Sequence, residues 1–473
     1  MAELLTPTIF LSLIIACALA LLISLRLAKD PIVGVVLIAF FLPFERLPNL
    51  DIAGFSLKIN HLIGILTFLF LALAIVFNRH KIAPNPLAIP LAGLFFSFLI
   101  TGSHALNFFR HVTVYISLLL MVVIFLVVIN SLQDRDALRR VVVALLIGGG
   151  FMSLIALYQF FGDMAGFPPA LTGLDPGYTS DVFGFPRIHG FTKEPLYYAN
   201  YLFIPLGVGI ALLFSNKLNV AKERLSESSF TESLIGPRVL PVILLMFITF
   251  ILTLSRGAFL AAVPFTLIFV VLYTKQILNW RNIILGGLTL AIALYAVYSI
   301  LNAVSPRALD RFISHAKLED VLVTRTGESG FGRLGTFQQA ISAWKESPVS
   351  GIGLGNFGPY VKHYPVVKPE SGWPIVNNEY LELLAESGWV GLLIVMLTLL
   401  ILFVRSIIAY RATNDSLLKA IMLGLLAAFV AITTQYNFFS TFYIIHIWFL
   451  FGLMVATQNV ILSGSSQTKK SSE

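Results

Sequence analysis

Long apolar runs, separated by short polar breaks, follow one another along most of this chain. Many runs are about 20 residues long, which is enough for a helix to cross a hydrocarbon core of about 30 Å. The strands of a membrane barrel alternate apolar and polar residues. The run VYISLLLMVVIFLVVI shows no such alternation. The pattern therefore predicts an all-α, polytopic membrane bundle of about 12 to 13 transmembrane helices.

The predicted spans divide the chain into four parts. Residues 1–302 hold the earlier spans, 303–387 form a long polar loop with helices, 388–460 hold the last spans, and 461–473 form a flexible tail. The predicted spans are 7–27, 31–44, 61–78, 86–103, 111–130, 140–161, 196–215, 239–255, 257–274, 283–302, 388–405, 416–435 and 440–460.

Composition and charge agree with a membrane protein. Of the 473 residues, 57% are hydrophobic and 12% are charged, whereas soluble domains carry about 25% charged residues. Most short loops that are rich in Lys and Arg, and the loop 216–237, fall on the same side of the membrane. The positive-inside rule makes that side cytoplasmic. The segments 162–195 and 303–387 then face outward, and topology rather than nucleic-acid binding explains the net charge of +8. The single cysteine, Cys17, excludes an internal disulfide and a cysteine-rich metal site.

Two outward breaks carry arginines close to the hydrocarbon. In FGFPRIHGFTKEP, Arg187 lies near Glu194 in a stretch rich in Gly and Pro that predicts a shaped turn. In LTLSRGAFLAA, Arg256 interrupts apolar sequence, where a cation costs about 3 kcal/mol or more. Each arginine has a simpler interpretation as well: an interfacial cation beside an aromatic belt, or the tip of a tight turn.

The third outward stretch is the long loop 303–387, whose second part belongs to 332–391, the longest polar and glycine-rich segment of the chain. Amphipathic helices are predicted over 305–323 and 334–346, the second packing on the bundle through one apolar face. That face consists of Leu334, Phe337, Ile341 and Trp344. GIGLGNFG predicts a tight turn, and a further helix is expected near Asn377, which could cap it.

These arginines favour an anionic ligand. Guanidinium groups bind phosphate oxygens in a bidentate manner, and the sequence has no metal-binding motif such as HExxH. A lipid-linked phosphate or diphosphate is the partner that fits cations at the outer membrane surface.

The polar stretches resemble the superfamily of O-antigen ligases and O-antigen polymerases over roughly residues 180–435. The order of motifs carries the resemblance: R-x-x-G-x-x-x-x-P, then S-R-G, then G-R with W and P-x-x-G-x-G-x-x-x-F, then N-x-Y-L-x-x-x-x-E-x-G. The matching residues are Arg187, Gly190 and Pro195; Ser255, Arg256 and Gly257; Gly332, Arg333, Trp344, Pro348, Gly351, Gly353 and Phe357; and Asn378, Tyr380, Leu381, Glu386 and Gly388.

The resemblance implies a GT-C-like membrane glycosyltransferase without metal or cofactor. Such enzymes move a glycan from undecaprenyl diphosphate to a lipid A core or to another lipid-linked glycan, outside the bacterial inner membrane. By analogy Arg187 and Arg256 would bind the diphosphate, with Arg333 as a weaker candidate. Asn377 and Asn378 would lie at the catalytic motif, and the remaining candidates would line the substrate or the loop. These are Trp344, His363, Tyr380 and Glu386.

One position departs from the ligase pattern. The ligases usually carry His, their proposed base or acceptor-positioning group, immediately before the Asn of the last motif, and here that residue is Asn377. Asn cannot accept a proton near neutral pH, so three alternatives remain open. Glu194 could be the base, His363 or His189 could approach from the loops, or diphosphate departure could need little base assistance. We favour Glu194 because of its position beside Arg187.

The missing histidine favours a polymerase slightly over a ligase. The competing hypothesis is a transporter or flippase of lipid-linked glycan, which would distribute charged residues through the spans and show related halves. The expected partners are the glycan donor, the acceptor and membrane lipids, with a chain-length regulator or other assembly proteins in addition, and no nucleic acid.

Overall fold

The computed structural model describes residues 24–46, 49–52, 55–219, 239–273, 284, 287–288, 295, 298–299, 302, 333–362, 373–440 and 442–470. Several predicted features lie outside these residues. They are most of the span 7–27, nearly all of the loop 216–237 and of the span 283–302, the helix over 305–323, and His363.

Helices make up nearly all regular structure in the described residues. They are α1 (Ile32–Phe41), α2 (Ile59–Val76), α3 (Ala88–Thr101), α4 (Phe108–Ser131), α5 (Arg135–Met164), α6 (Pro169–Thr172), α7 (Ser180–Phe183), α8 (Pro195–Asn219), α9 (Val239–Leu252), α10 (Arg256–Leu272), α11 (Arg333–Glu346), α12 (Phe357–Lys362), α13 (Glu379–Ala412), α14 (Ser416–Gln435) and α15 (Ile445–Lys470). Short 3₁₀ turns lie at Gly102–His104 and Pro176–Tyr178. One antiparallel hairpin, which the apolar pattern did not predict, pairs β1 (Asn49–Ile52) with β2 (Phe55–Lys58), with Asn49 opposite Lys58.

The membrane bundle predicted from the apolar runs is confirmed. Seven helices of the described chain, α2, α4, α5, α8, α13, α14 and α15, are long and apolar enough to cross a membrane. Shorter apolar helices correspond to the predicted spans 31–44, 86–103, 239–255 and 257–274. The last helix continues to Lys470, so most of the segment predicted as a tail is helical.

The side chains on the outside of the bundle show what surrounds it. Phe96 and Leu393 are 65% and 56% exposed, and similar large apolar side chains are exposed on many of the helices. A soluble monomer rarely exposes so much contiguous apolar surface. Lipid is the environment in which these side chains are satisfied.

A large apolar core joins the helices of the bundle, and the packing of these helices positions the outward polar stretches. Helix α8 packs against α14, and α14 packs against α10. Helix α4 packs against α15, while α13 packs against both α3 and α11. The segments before α8, before α10 and before α13 therefore meet at one end of the bundle.

Candidate functional site

The turn at 187–195 is held in shape by the end of helix α5. Gly190 has φ of +58°, a conformation that glycine adopts without strain. The Gln159 side chain binds this turn twice, since its Oε1 accepts from Gly190 N at 2.8 Å and its Nε2 donates to Gly190 O at 2.9 Å. Pro195 then begins α8, where its fixed φ suits the first turn. The sequence-predicted turn is confirmed, and Gln159 is a support that no motif indicated.

A second support comes from the segment after α1. The backbone N–H groups of Glu45 and Arg46 both donate to Phe191 O at 3.0 Å. Glu45 is 6% exposed, and its Oε2 accepts from Lys193 N at 3.3 Å. Arg46 instead points outward and lies 3.5 Å from Asp175. No sequence motif predicted these contacts, because the partner turn is more than a hundred residues away.

Arg187 is partly buried on this turn. Its guanidinium lies over the ring of Tyr178, with Cζ 5.6 Å from the ring centroid, and its backbone N–H donates to Tyr178 O at 2.8 Å. Burial lowers the pKa of Arg187, Tyr178 opposes that shift, Arg256 lowers the pKa further, and Glu194 raises it. Arg187 thus lies near both another cation and the favoured carboxylate.

His189 is fully buried in the same turn. Its Nε2 accepts a hydrogen bond from Asp175 N at 3.0 Å. Burial, with a smaller contribution from Arg46, lowers the pKa of His189 to about 4. This histidine, one of the alternative bases, is therefore neutral at neutral pH but enclosed by the fold.

Arg256 is the first residue of α10. Helix α9 ends at Leu252, and the chain turns through Leu254, whose φ is +52°. The N-terminus of a helix carries a partial positive charge, so a cation at this position is unfavourable unless an anion binds nearby. The chain does form the tight turn of the simpler interpretation, and Arg256 also lies close enough to Arg187 and Arg333 to lower the pKa of both.

Arg333 supplies the third guanidinium as the first residue of α11. Burial lowers the pKa of Arg333, and Arg256 lowers it further. Its Nη1 is buried and has no hydrogen-bond partner among the described residues. Arg187, Arg256 and Arg333, which come from three separate parts of the chain, thus form one guanidinium cluster.

Asn377 and Asn378 lie at the start of α13. The prediction that Asn377 caps this helix is wrong: Asn378 is the cap, and its side chain accepts from Leu381 N at 3.0 Å. Asn377 has φ of +60°, a region in which Asn and His are both enriched. Asn therefore keeps the backbone shape that a histidine would have at this position, while removing the group that accepts a proton.

The turn between α14 and α15 connects the two asparagines to Arg256. Glu379 N donates to Tyr436 O at 2.8 Å, and Asn378 Nδ2 donates to Asn437 O at 3.3 Å. Phe438, the next residue, packs against Gly257 beside Arg256. The last motif and the second motif therefore share one supporting turn.

The glycine-rich segment GIGLGNFG packs on a kink in α13. Gly351 and Gly388 have φ of +73° and +66°, and each approaches the backbone of the other segment too closely for a Cβ atom. Ile352 N donates to Ala385 O at 3.0 Å, and Trp389 N donates to Pro348 O at 2.9 Å. The predicted tight turn is confirmed, and its glycines are required by this close approach.

Three candidate residues make hydrogen bonds that support the fold. Glu386 accepts from the backbone N–H groups of Gly355 at 2.7 Å and Phe357 at 3.0 Å. Trp344 Nε1 donates to Pro348 O at 3.1 Å. Tyr380 donates from its hydroxyl to Thr433 O at 2.8 Å, which joins α13 to α14. These contacts give each residue a role in shaping the loop, and their predicted contact with substrate stays a prediction.

Helix α11 packs through a face that includes Phe337 of the predicted face but is otherwise made of smaller side chains. Leu334 and Ile341 are 52% and 38% exposed, whereas Thr336, Ala340 and Ala343 are buried. Helix α13 lies against this helix, and small side chains allow the close approach. The prediction failed because apolar size was taken as the signal for the buried face.

Arg110 is a partly buried residue to which no sequence motif assigned a contact. Its Nε donates to Gly355 O, and its guanidinium lies 5.2 Å from the ring centroid of Trp373. Nearby, Asn107 N donates to Asn356 Oδ1 at 2.6 Å, and Leu354 N donates to His111 Nδ1 at 3.0 Å. The N-terminal end of α4 thus contacts the glycine-rich segment. No sequence signal pairs residues this far apart.

Within the part of the chain that the structure describes, no group of three or more His, Cys, Asp or Glu side chains could hold a metal ion.

Residues 241–396 match the family described as O-antigen ligase. That stretch includes Arg256, Arg333 and the glycine-rich segment, whereas Arg187 and Glu194 precede it. No curated protein matches the chain. The family match and the apolar helices support a multi-pass membrane protein with a glycan-processing function of the O-antigen ligase or polymerase type. The match confirms the resemblance to the O-antigen ligase and O-antigen polymerase superfamily.

Proposed function

We propose that this protein transfers a glycan from undecaprenyl diphosphate to an acceptor hydroxyl at the outer face of the bacterial inner membrane. The observation that carries the proposal is the guanidinium cluster of Arg187, Arg256 and Arg333. Burial and mutual repulsion lower the pKa of Arg187 and of Arg333. Guanidinium groups nevertheless keep their charge at neutral pH, so a bound diphosphate would relieve the repulsion.

The reaction that fits this cluster is a displacement at the first carbon of the glycan. The acceptor oxygen forms a bond to that carbon, and the carbon–oxygen bond to the diphosphate breaks with its electron pair going to the diphosphate. The guanidinium groups and the positive end of α10 stabilise the charge that develops on the leaving group. In this proposal they neutralise the diphosphate in place of a metal ion.

Glu194 is the proposed base that takes the proton of the acceptor hydroxyl. It is partly exposed and close enough to Arg187 to influence that guanidinium. Asn377 cannot accept this proton, and His189 is fully buried. A polymerase, in which the acceptor is another lipid-linked glycan, agrees with the absence of the ligase histidine. The distribution of Lys and Arg supports an outward-facing site.

Reconstitution tests the reaction. We expect purified protein in vesicles to convert undecaprenyl-diphosphate repeat units into a ladder of longer products without a lipid A core. A single product formed only when lipid A core is added would instead identify a ligase. Faster exchange of the lipid-linked glycan between leaflets, with neither product, would overturn the proposal in favour of a flippase.

The proposed base can be tested separately. Glu194→Gln should lower the transfer rate by about a hundredfold, with the apparent affinity for the donor unchanged, because the amide keeps the size but not the basicity. Introducing Asn377→His into that variant should restore part of the rate with a new dependence on pH. Full activity of Glu194→Gln, beside an inactive Arg187→Ala, would eliminate Glu194 as the base.

A further inference from the structure

A groove with a volume of about 560 Å³ opens beside α11 and α12, outside the guanidinium cluster. Helix α11 contributes Gln339, Ser342 and Glu346 to it, and α12 contributes Pro359 and Tyr360. Ligand pockets commonly span about 300 to 1,000 Å³, so the groove has room for a chain of a few sugars.

The groove walls mix polar and apolar groups in a way that suits a neutral carbohydrate. An amide, a hydroxyl, a carboxylate and a phenol stand beside the apolar surfaces of Leu106, Pro359 and Val361. Sugars present hydroxyl groups along their edges and C–H groups on their faces, and both kinds of wall contact are available here. None of the described lining residues is basic, which distinguishes this groove from the arginines that suit a diphosphate.

The polar groups retain hydrogen-bonding capacity for a ligand. Gln339 Oε1 is buried and has no hydrogen-bond partner among the described residues. Tyr360 donates from its hydroxyl to Glu346 Oε1 at 2.7 Å, and Glu346 remains exposed at the groove. An acceptor left without a donor costs free energy, and a sugar hydroxyl could supply that donor.

The groove lies along the same helix that begins at Arg333. At a rise of 1.5 Å per residue, Gln339 lies about 9 Å and Glu346 about 20 Å from Arg333 along the axis. A glycan whose first sugar is attached to a diphosphate at the guanidinium cluster could therefore extend along α11 into the groove.

We propose that this groove is a binding site for the neutral oligosaccharide part of a substrate. Its place in catalysis rests on the proposed glycan transfer, whereas oligosaccharide binding itself does not. The glycan can belong to the donor or to the acceptor, because both present the same sugar chemistry. Substitutions in the groove distinguish the two cases. They should change the apparent affinity for the donor if the groove binds donor glycan, and the apparent affinity for the acceptor if it binds acceptor glycan.

Direct binding tests the site without requiring turnover. The probes are free oligosaccharides of two to six sugars cut from the surface polysaccharide of the source bacterium, titrated calorimetrically into the full-length protein in detergent. We expect saturable binding that weakens about 3- to 10-fold in Gln339→Ala and in Glu346→Gln, the loss for one hydrogen bond. The matched control is Gln338→Ala, which removes an exposed amide of the neighbouring position outside the groove and should bind as the wild type does.

Thermal unfolding of each variant identifies any loss that is due to misfolding, and Tyr360→Phe provides a milder change that keeps the ring. Equal affinity in the wild type and all groove variants, or no binding by the wild type, would overturn the proposal. Sugar binding without glycan transfer would support the groove as an oligosaccharide site but would refute the proposed function.

In vesicles, a groove that holds donor glycan should raise the KM for full-length donor in Gln339→Ala but not for a donor carrying one sugar. A groove that holds acceptor glycan should raise the KM for acceptor only.

Discussion

The guanidinium cluster and the glycine-rich segment carry motifs of the same family but differ in what their polar groups do. Around GIGLGNFG, the backbone and the Glu386 carboxylate are occupied by hydrogen bonds of 2.7 to 3.2 Å. In the cluster, Arg187, Arg256 and Arg333 lie close enough for Arg256 to lower the pKa of both others. One region uses its polar groups to hold the backbone, whereas the other brings three positively charged side chains within electrostatic reach.

This difference separates two reasons why a residue belongs to a motif. Gly351 and Gly388 are required because a side chain at either position would overlap the facing backbone. The arginines are not required by the backbone, and each begins or precedes a helix that could form without it. Changes in the two regions should therefore affect different quantities: stability in the glycine-rich segment and transfer rate in the cluster.

The largest expected effect is on the rate in Arg256→Ala. Removing one group that stabilises charge in the transition state should lower the transfer rate by about a thousandfold, as measured with a radiolabelled donor. The midpoint of thermal unfolding should stay constant or rise, because the substitution removes repulsion within the cluster. Arg256→Lys keeps the charge but loses the forked guanidinium that can bind two phosphate oxygens at once. It should retain more activity than Arg256→Ala. A fall in the unfolding midpoint that accounts for the lost activity would show that Arg256 is structural.

Gly388→Ala should have the opposite effect: it should lower the stability of the protein rather than the transfer rate. The backbone at φ +66° and ψ −172° is open almost only to glycine, and a Cβ atom would lie 2.2 Å from Val349 O. We expect a loss of at least about 3 kcal/mol in the free energy of unfolding, with an unchanged KM for the protein that still folds. Gly464→Ala is the control, since a Cβ atom there meets nothing within 4 Å. Equal stability of the two variants would contradict the assignment.

The smallest expected effect is on how the stability of the protein depends on pH, through His189. The pKa of His189 is about 4 in the fold against 6.5 for the free side chain, so the unfolded state binds more protons between these values. Its stabilising contribution is full above pH 6.5 and is lost as the pH falls towards 4, by at most about 3 kcal/mol. Unfolding midpoints measured across this range should fall less steeply in His189→Gln. The same slope in both proteins would refute the prediction.

The apolar runs were sufficient to predict the bundle because a bilayer imposes a length and a composition on every helix that crosses it. Local chemistry also predicted the turn at 187–195, the turn at GIGLGNFG and the helix at 334–346. Where two local signals competed, the sequence was less informative. Large apolar residues were expected on the buried face of α11, but Thr336, Ala340 and Ala343 occupy it because α13 lies close.

The sequence alone determined which residues carry charge near the membrane surface, because a cation in an apolar run is visible without coordinates. It also identified the missing histidine at Asn377. Only the tertiary structure decided that Arg187, Arg256 and Arg333 meet, that Glu45 and Gln159 hold the turn beside them, and that Glu386 anchors the glycine-rich segment. The physical reason is that these contacts join residues far apart in the chain, and such proximity depends on how the helices pack rather than on any local pattern.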